Sequence, residues 1–193
     1  MSKDRHFNQR VWTDRATRRR ENAIHLGRDS ESIATLKWLE EIRFIESLGR
    51  TIAWCTSQGI AVEFTKREGG LWEDGQRRIS ITASARPLTQ LCILLHEIGH
   101  YVIDTSHPKY ANRYSMGWAV CDDNRLKRTD KHRLTVLEEE YEAWFKGWGI
   151  ALMVGALTEF DRDKYDDMKV QYLKTYVKWA ARGEGYTRYT NDT

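Results

Sequence analysis

Apolar positions recur with a helical period in four stretches of this chain, and between the first two the period shortens to that of a strand. Asp29-Ser30-Glu31-Ser32 supplies capping side chains ahead of Ile33, Leu36, Leu39, Ile42, Ile45, Leu48 and Ile52, spaced three or four apart. Lys37, Glu40, Glu41, Arg43 and Glu46 lie on the opposite face, and Gly59 is placed to end this helix, because glycine enters the left-handed region without steric cost. Residues 60–66 then alternate, Gly69-Gly70 and Asp74-Gly75 break the chain, and residues 78–82 alternate again with Ile79 and Ile81 on one face. These features predict a small antiparallel hairpin or sheet. Pro87 opens a strongly apolar helix over residues 88–103, where its missing N–H does no harm. Residues 104–133 are polar and aperiodic, and a stretch of that length inside a compact domain is usually functional or mobile. Helical periodicity returns over 135–155 through Leu137, Tyr141, Trp144, Trp148 and Leu152. It returns again over 161–181 through Tyr165, Met168, Tyr172, Tyr176 and Trp179. The fold class is therefore α+β, mostly helical, with the small sheet ahead of the 88–103 helix.

A chain of 193 residues has room for one substantial core. The expected organisation is a basic segment over 1–28, one domain over 29–185 and a tail over 186–193. With 8 Trp and 9 Tyr the composition is too aromatic for a disordered protein. No stretch reaches the roughly 18 to 20 apolar residues of a membrane span, and the charged amino terminus lacks a signal-peptide core. The expected setting is the cytoplasm, without membrane contact. Cys55, Cys92 and Cys121 form neither a disulfide framework nor CxxC spacing, so they are expected as reduced thiols. The net charge of +3 is concentrated in residues 1–20, where seven basic side chains face only Asp4 and Asp14. Such an arm offers a contact for nucleic-acid phosphates or an acidic partner through counterion release, or else is a solvated lead-in.

Candidate chemistry sits in the apolar helix. Leu94-Leu95-His96-Glu97-Ile98-Gly99-His100 contains the HExxH pattern. Positions four apart share a helical face, so His96 and His100 point two imidazoles at one cation, while Glu97 stands beside them as a proton acceptor. Histidine and glutamate suit so apolar a helix only if something satisfies them.

A catalytic zinc generally takes three protein ligands and leaves one position open. The metzincin extension fails, since Ile103 and Ser106 stand where it needs glycine and histidine. The run Glu138-Glu139-Glu140-Tyr141-Glu142 on the next helix is a better source. Glu140 shares a stripe with Val136, Ala143, Gly147 and Ala151, whose small side chains would let this helix approach the first at Gly99. Glu139 is expected opposite the apolar face, Glu142 farther from its centre, and Glu138 stays geometrically open on the other flank. His107, His132, Asp122 and Asp123 are further, weaker sources of a ligand. Cys92, one turn before His96, reads as a packing residue.

These residues resemble zincins of the gluzincin type, specifically the ImmA/IrrE-like metallopeptidases and small phage-borne relatives. There, a helix with HE(I/L)GH precedes one carrying E-x-E-A-(N/W)-x-F. Glu140-Tyr141-Glu142-Ala143-Trp144-Phe145 matches over its first five positions, with the phenylalanine one place early. The resemblance covers roughly residues 33–155 and implies a zincin-like fold, zinc as cofactor, His96, His100 and Glu140 as ligands, and Glu97 as general base. A following proline-containing segment and an attached repressor-like domain are absent. Likeness to SprT-like proteases is weaker, since their third histidine would have to be His107 or His132, and the upstream ligand motif of peptide deformylase is not found.

The expected function is hydrolysis of a peptide bond in a specific protein or peptide substrate, with Glu97 taking a proton from metal-activated water. Residues 78–82 would align the substrate by edge pairing, and Tyr114, His107 or His132 would steady an oxyanion. The alternative is a nucleic-acid-associated or partner-binding protein on the same scaffold, acting on DNA-bound proteins or without turnover. The sequence leaves the oligomeric state open.

Overall fold

The computed structural model describes residues 30–66, 70–73, 76–106 and 129–182. The basic amino-terminal segment, His107, Tyr114, Cys121, Asp122, Asp123 and the 186–193 tail lie outside the described residues. The elements are α1 (Ser30–Ser57), β1 (Ala61–Thr65), β2 (Gly70–Glu73), β3 (Arg78–Thr82), α2 (Pro87–Ser106), α3 (Asp130–Met153), a 3-10 turn (Glu159–Asp161) and α4 (Arg162–Arg182). The fold is α+β and mostly helical. No described helix is long and apolar enough to cross a membrane. The chain divides into compact units at 1–42 and 43–193. In the first unit the α1 residues Ile33, Leu36, Trp38 and Leu39 are exposed.

The second unit begins inside α1, which buries Phe44, Ser47, Leu48, Thr51 and Cys55. This face is offset from the predicted stripe, since Ile45 is exposed. The two polar members add no unmet donor at Thr51, whose hydroxyl donates to the Ser47 carbonyl at 2.9 Å. Gly59 ends the helix as predicted. At φ 71° it lets its own N–H reach the Thr56 carbonyl and the Ile60 N–H reach that of Cys55. Gly155, at φ 65°, closes α3 in the same way.

The sheet has three strands in the order β1-β3-β2, with β2 antiparallel and β1 parallel to β3. Two expectations change. The antiparallel hairpin is present, but its first strand is Gly70–Glu73, a stretch read from sequence as a break, because Leu71-Trp72 between glycines is too short to show a period. Residues 78–82 are the central strand, hydrogen-bonded on both sides, so their edges are not free for a substrate. Ile79 and Ile81 are fully buried. Their cross-strand partners Trp72 and Gly70 lie on the same side of the sheet, against α2.

Two helix-to-helix contacts fix the core. A Cβ on Gly99 would run into the Ala143 backbone carbonyl, and a Cβ on Gly147 into that of Leu95. The pairs 99 with 143 and 95 with 147 make α2 and α3 antiparallel across this contact. The buried face of α3 comprises His132, Val136, Glu139, Glu140, Ala143, Trp144, Gly147, Trp148 and Ala151. It is therefore centred on the small-residue stripe, rotated from the predicted aromatic one by a little less than one residue step, and Tyr141 is exposed. Helix α3 starts earlier than its periodicity suggested, at Asp130, because Thr129 caps it by accepting from the His132 N–H at 3.1 Å. His132 thus belongs to the helix, buried against Trp179 of α4, and not to a loop.

At the far end of the core, Arg43 holds the Asp161 carboxylate with two hydrogen bonds of 2.9 and 2.6 Å. The Thr158 N–H and hydroxyl donate to the same carboxylate.

Replacing Gly99 with alanine is expected to destabilise the protein by about 3 kcal/mol, because backbone rather than a flexible side chain must yield. Gly149→Ala, on α3 with nothing within 4 Å of the added methyl group, should instead stabilise by up to about 1 kcal/mol. Thermal melts of both variants check this contrast. Burial raises the Asp161 pKa, but the Arg43 and Thr158 hydrogen bonds outweigh it and bring it down to about 2 from 3.8. A depressed folded-state pKa gives stability that is present above the unfolded value and lost as pH falls through the folded one. Asp161→Asn should therefore cost about 1 to 2 kcal/mol near neutrality, allowing for screening at the partly exposed Arg43, and the deficit should vanish between about pH 4 and pH 2 in denaturant titrations.

Candidate metal centre

The HExxH segment lies mid-way along α2, where residues 91–100 are all buried. One helical turn separates His96 from His100, and their rings meet edge-on with centroids 4.7 Å apart. Antiparallel packing of α3 brings Glu140 opposite them. His96 Nε2 is 3.1 Å and His100 Nε2 3.6 Å from Glu140 Oε2. One ligand atom from each of the three residues lies within 4.8 Å of the other two. Glu140 is fully buried.

This geometry is unusual for side chains satisfying one another. The 3.1 Å approach is short enough for a hydrogen bond but not aligned for one, and neither Glu140 oxygen has a hydrogen-bond partner among the described residues. A buried carboxylate without donors costs several kcal/mol unless a cation meets it. Ligand atoms about 2.0–2.1 Å from one tetrahedral zinc stand about 3.3–3.4 Å apart, and the two measured separations straddle that value. Two imidazoles and one carboxylate are also the donor set of many catalytic zinc sites. The residues fit a zinc ion.

Electrostatics agree. Burial alone would keep His100 neutral, but the Glu140, Glu139 and Glu97 carboxylates reverse this and hold its pKa well above the usual histidine value. Burial likewise raises Glu140, and the neighbouring His100 and His96 more than offset it, leaving the carboxylate ionised. A divalent cation would take the place of the proton that this cluster otherwise holds.

Glu97 projects from the same turn and is buried, with Oε2 lacking a hydrogen-bond partner among the described residues. Its carboxylate lies against β2: a Cβ on Gly70 would meet Ile93 and Glu97, with Oε1 at 2.6 Å. Glycine at that position makes room for the carboxylate beside the sheet.

The structure brings together His96, Glu97, His100 and Glu140 as predicted. It separates the others: Glu138 is exposed, and Glu142 pairs with Lys146 at 3.2 Å. His132 is no part of the cluster. Cys92 is a packed thiol whose pKa burial pushes up to about 12, and burial does the same to Cys55.

Two contributors were missed. Glu139, expected on the far side of the helix, is buried with Oε1 3.6 Å from His100 Nδ1. Its spacing from Val136 and Ala143 carried that signal, which the aromatic stripe obscured. Trp144 stacks on His96 with centroids 4.6 Å apart and planes 24° from parallel. Tyr165 of α4 steadies it by donating to the Trp144 carbonyl at 2.8 Å, and the Tyr165 ring packs edge-on against the indole. Comparisons with protein-family models, curated proteins and solved structures give no match for this chain.

Purified protein is expected to carry close to one zinc per chain, and His96→Ala or Glu140→Ala to lose it. Glu142→Ala, at a half-buried ion pair outside the cluster, should keep it. Elemental analysis after dialysis against a weak chelator reads all three, and full retention by the Glu140 variant would remove that residue from the ligand set.

Proposed function

We propose that this chain is a zinc-dependent metallopeptidase of the gluzincin type, similar to the ImmA/IrrE-like enzymes, acting on a protein or peptide substrate. The observation that carries the reading is the convergence of His96, His100 and Glu140 within 4.8 Å, with the Glu97 carboxylate on the same helical turn. Zinc held there supplies Lewis acidity, which acidifies water and polarises a carbonyl oxygen.

The protein's own groups then have distinct tasks. His96, His100 and Glu140 hold the ion, and their burial keeps the surroundings poor in water, so that each charge acts at greater strength. Glu97 accepts a proton at its unengaged Oε2 and delivers it to the departing amine, as a carboxylate can do when it sits within reach of both. Gly70 leaves the space that Glu97 occupies.

Substrate alignment falls to β2 instead of the 78–82 strand, because β2 is the sheet edge beside Glu97. An extended peptide adding to that edge would gain main-chain hydrogen bonds and bring a carbonyl towards the metal. A cytoplasmic location and action on a regulator belong to the same proposal.

Glu97→Gln tests the function. The variant should retain zinc and melt like wild type, yet lose at least about 100-fold in hydrolysis of a mixed library of extended peptides followed by mass spectrometry. Zinc-loaded wild type that leaves every peptide intact, and is matched by the variant, would defeat the peptidase reading.

A further inference from the structure

The two histidines are oriented by different means, and this difference assigns a role to Glu139. His96 is fixed by packing: its ring lies on Trp144, and its Nδ1 is buried without a hydrogen-bond partner among the described residues. Among the described residues no indole stacks on His100. Its imidazole lies between consecutive glutamates, with Nε2 facing Glu140 Oε2 and Nδ1 facing Glu139 Oε1, each at 3.6 Å.

A carboxylate at position 139 needs a reason. Its neighbours on the same helical stripe, Val136 and Ala143, are small and apolar, and Glu139 itself is only 8% exposed. Its Oε2 has no hydrogen-bond partner among the described residues. A glutamate in such a place is destabilising unless a positively polarised group meets it, and among the described residues the Nδ1 edge of His100 does so. At 3.6 Å this is an electrostatic pairing, a few tenths of an ångström longer than a hydrogen bond.

We infer that Glu139 is a positioning residue: it keeps the proton of His100 on Nδ1 and so presents the Nε2 lone pair to the metal. The carboxylate also raises the basicity of the ring it faces, which strengthens the ligand. Consecutive residues on one helix thus perform two tasks, Glu140 as ligand and Glu139 as the group behind a ligand. The inference rests on the metal-site reading but not on peptidase activity.

The test compares full-length wild type, Glu139→Ala, Glu139→Gln and Glu142→Ala, using zinc alone as the probe and competition with a chromophoric chelator as the readout. Melting of the metal-free proteins establishes that each is folded. Glu139→Ala should bind zinc about 10- to 100-fold more weakly. Glu139→Gln should recover most of that loss, since its amide oxygen still accepts from Nδ1–H; a merely space-filling role would give the same order of affinities, and the His100 proton resonance separates the two. Glu142→Ala should match wild type. In zinc-loaded wild type the His100 Nδ1–H should give a downfield, slowly exchanging proton resonance that Glu139→Ala lacks. Zinc binding by Glu139→Ala as tight as wild type would overturn the role. So would complete loss of zinc in Glu139→Gln, which would make Glu139 a ligand. A wild type that takes up no zinc would remove the site and this role together, whereas zinc binding without peptide cleavage would defeat the peptidase reading and leave the role intact.

Discussion

Main-chain contact between α2 and α3 governs the rest of the second unit. Gly99 rests on the Ala143 carbonyl and Gly147 on the Leu95 carbonyl, so side chains separate the two backbones at neither point. Helices held this close and antiparallel bring the HExxH turn opposite the glutamates of α3 without long side chains having to bridge a gap. Short reach limits the rotamers that the histidines and Glu140 can adopt, and limited rotamers are what a fixed ligand geometry needs. A single methyl group at either glycine would push the helices apart and the carboxylate away from the imidazoles.

Closeness also makes the site dry, which raises the stakes for every polar atom in it. Glu97, Glu139 and Glu140 are three buried carboxylates around two buried histidines, with several oxygens left without donors among the described residues. In an apolar core this cluster would be a liability, and the protein surrounds it with its best-packed elements: the sheet on one side through Gly70 and Ile93, and the aromatic group Trp144, Tyr165 and Tyr172 on the other. The pattern is that of a scaffold that spends stability at one place to hold charge where a cation can meet it.

The edge strand joins this centre to what lies outside it. β2 runs along α2 with Gly70 at Ile93 and Glu97, and with Trp72 farther on beside Tyr101, its indole N–H donating to Asp104 at 2.5 Å. A four-residue strand anchored by one tryptophan is thereby kept against the helix that carries His96, Glu97 and His100. Its other edge has no strand partner among the described residues.

By itself, the sequence determined the helices, the capping glycines and the local half of the site, because these depend on residues a few positions apart. One helical turn suffices to put His96 and His100 on a common face, and a positive φ suffices to end α1 at Gly59. That Glu140, of the four glutamates, would face the two histidines was also legible, through its small neighbours. Tertiary structure decided what depends on distant partners. It chose which arc of α3 is buried, since backbone contact at glycines outweighed the aromatic stripe, and with that arc came Glu139 behind His100. It ordered the strands so that β2 and not β3 is the edge, because four residues between glycines show no period until a neighbour pairs with them. Periodicity records how a segment can face, whereas only packing selects the partner that it faces.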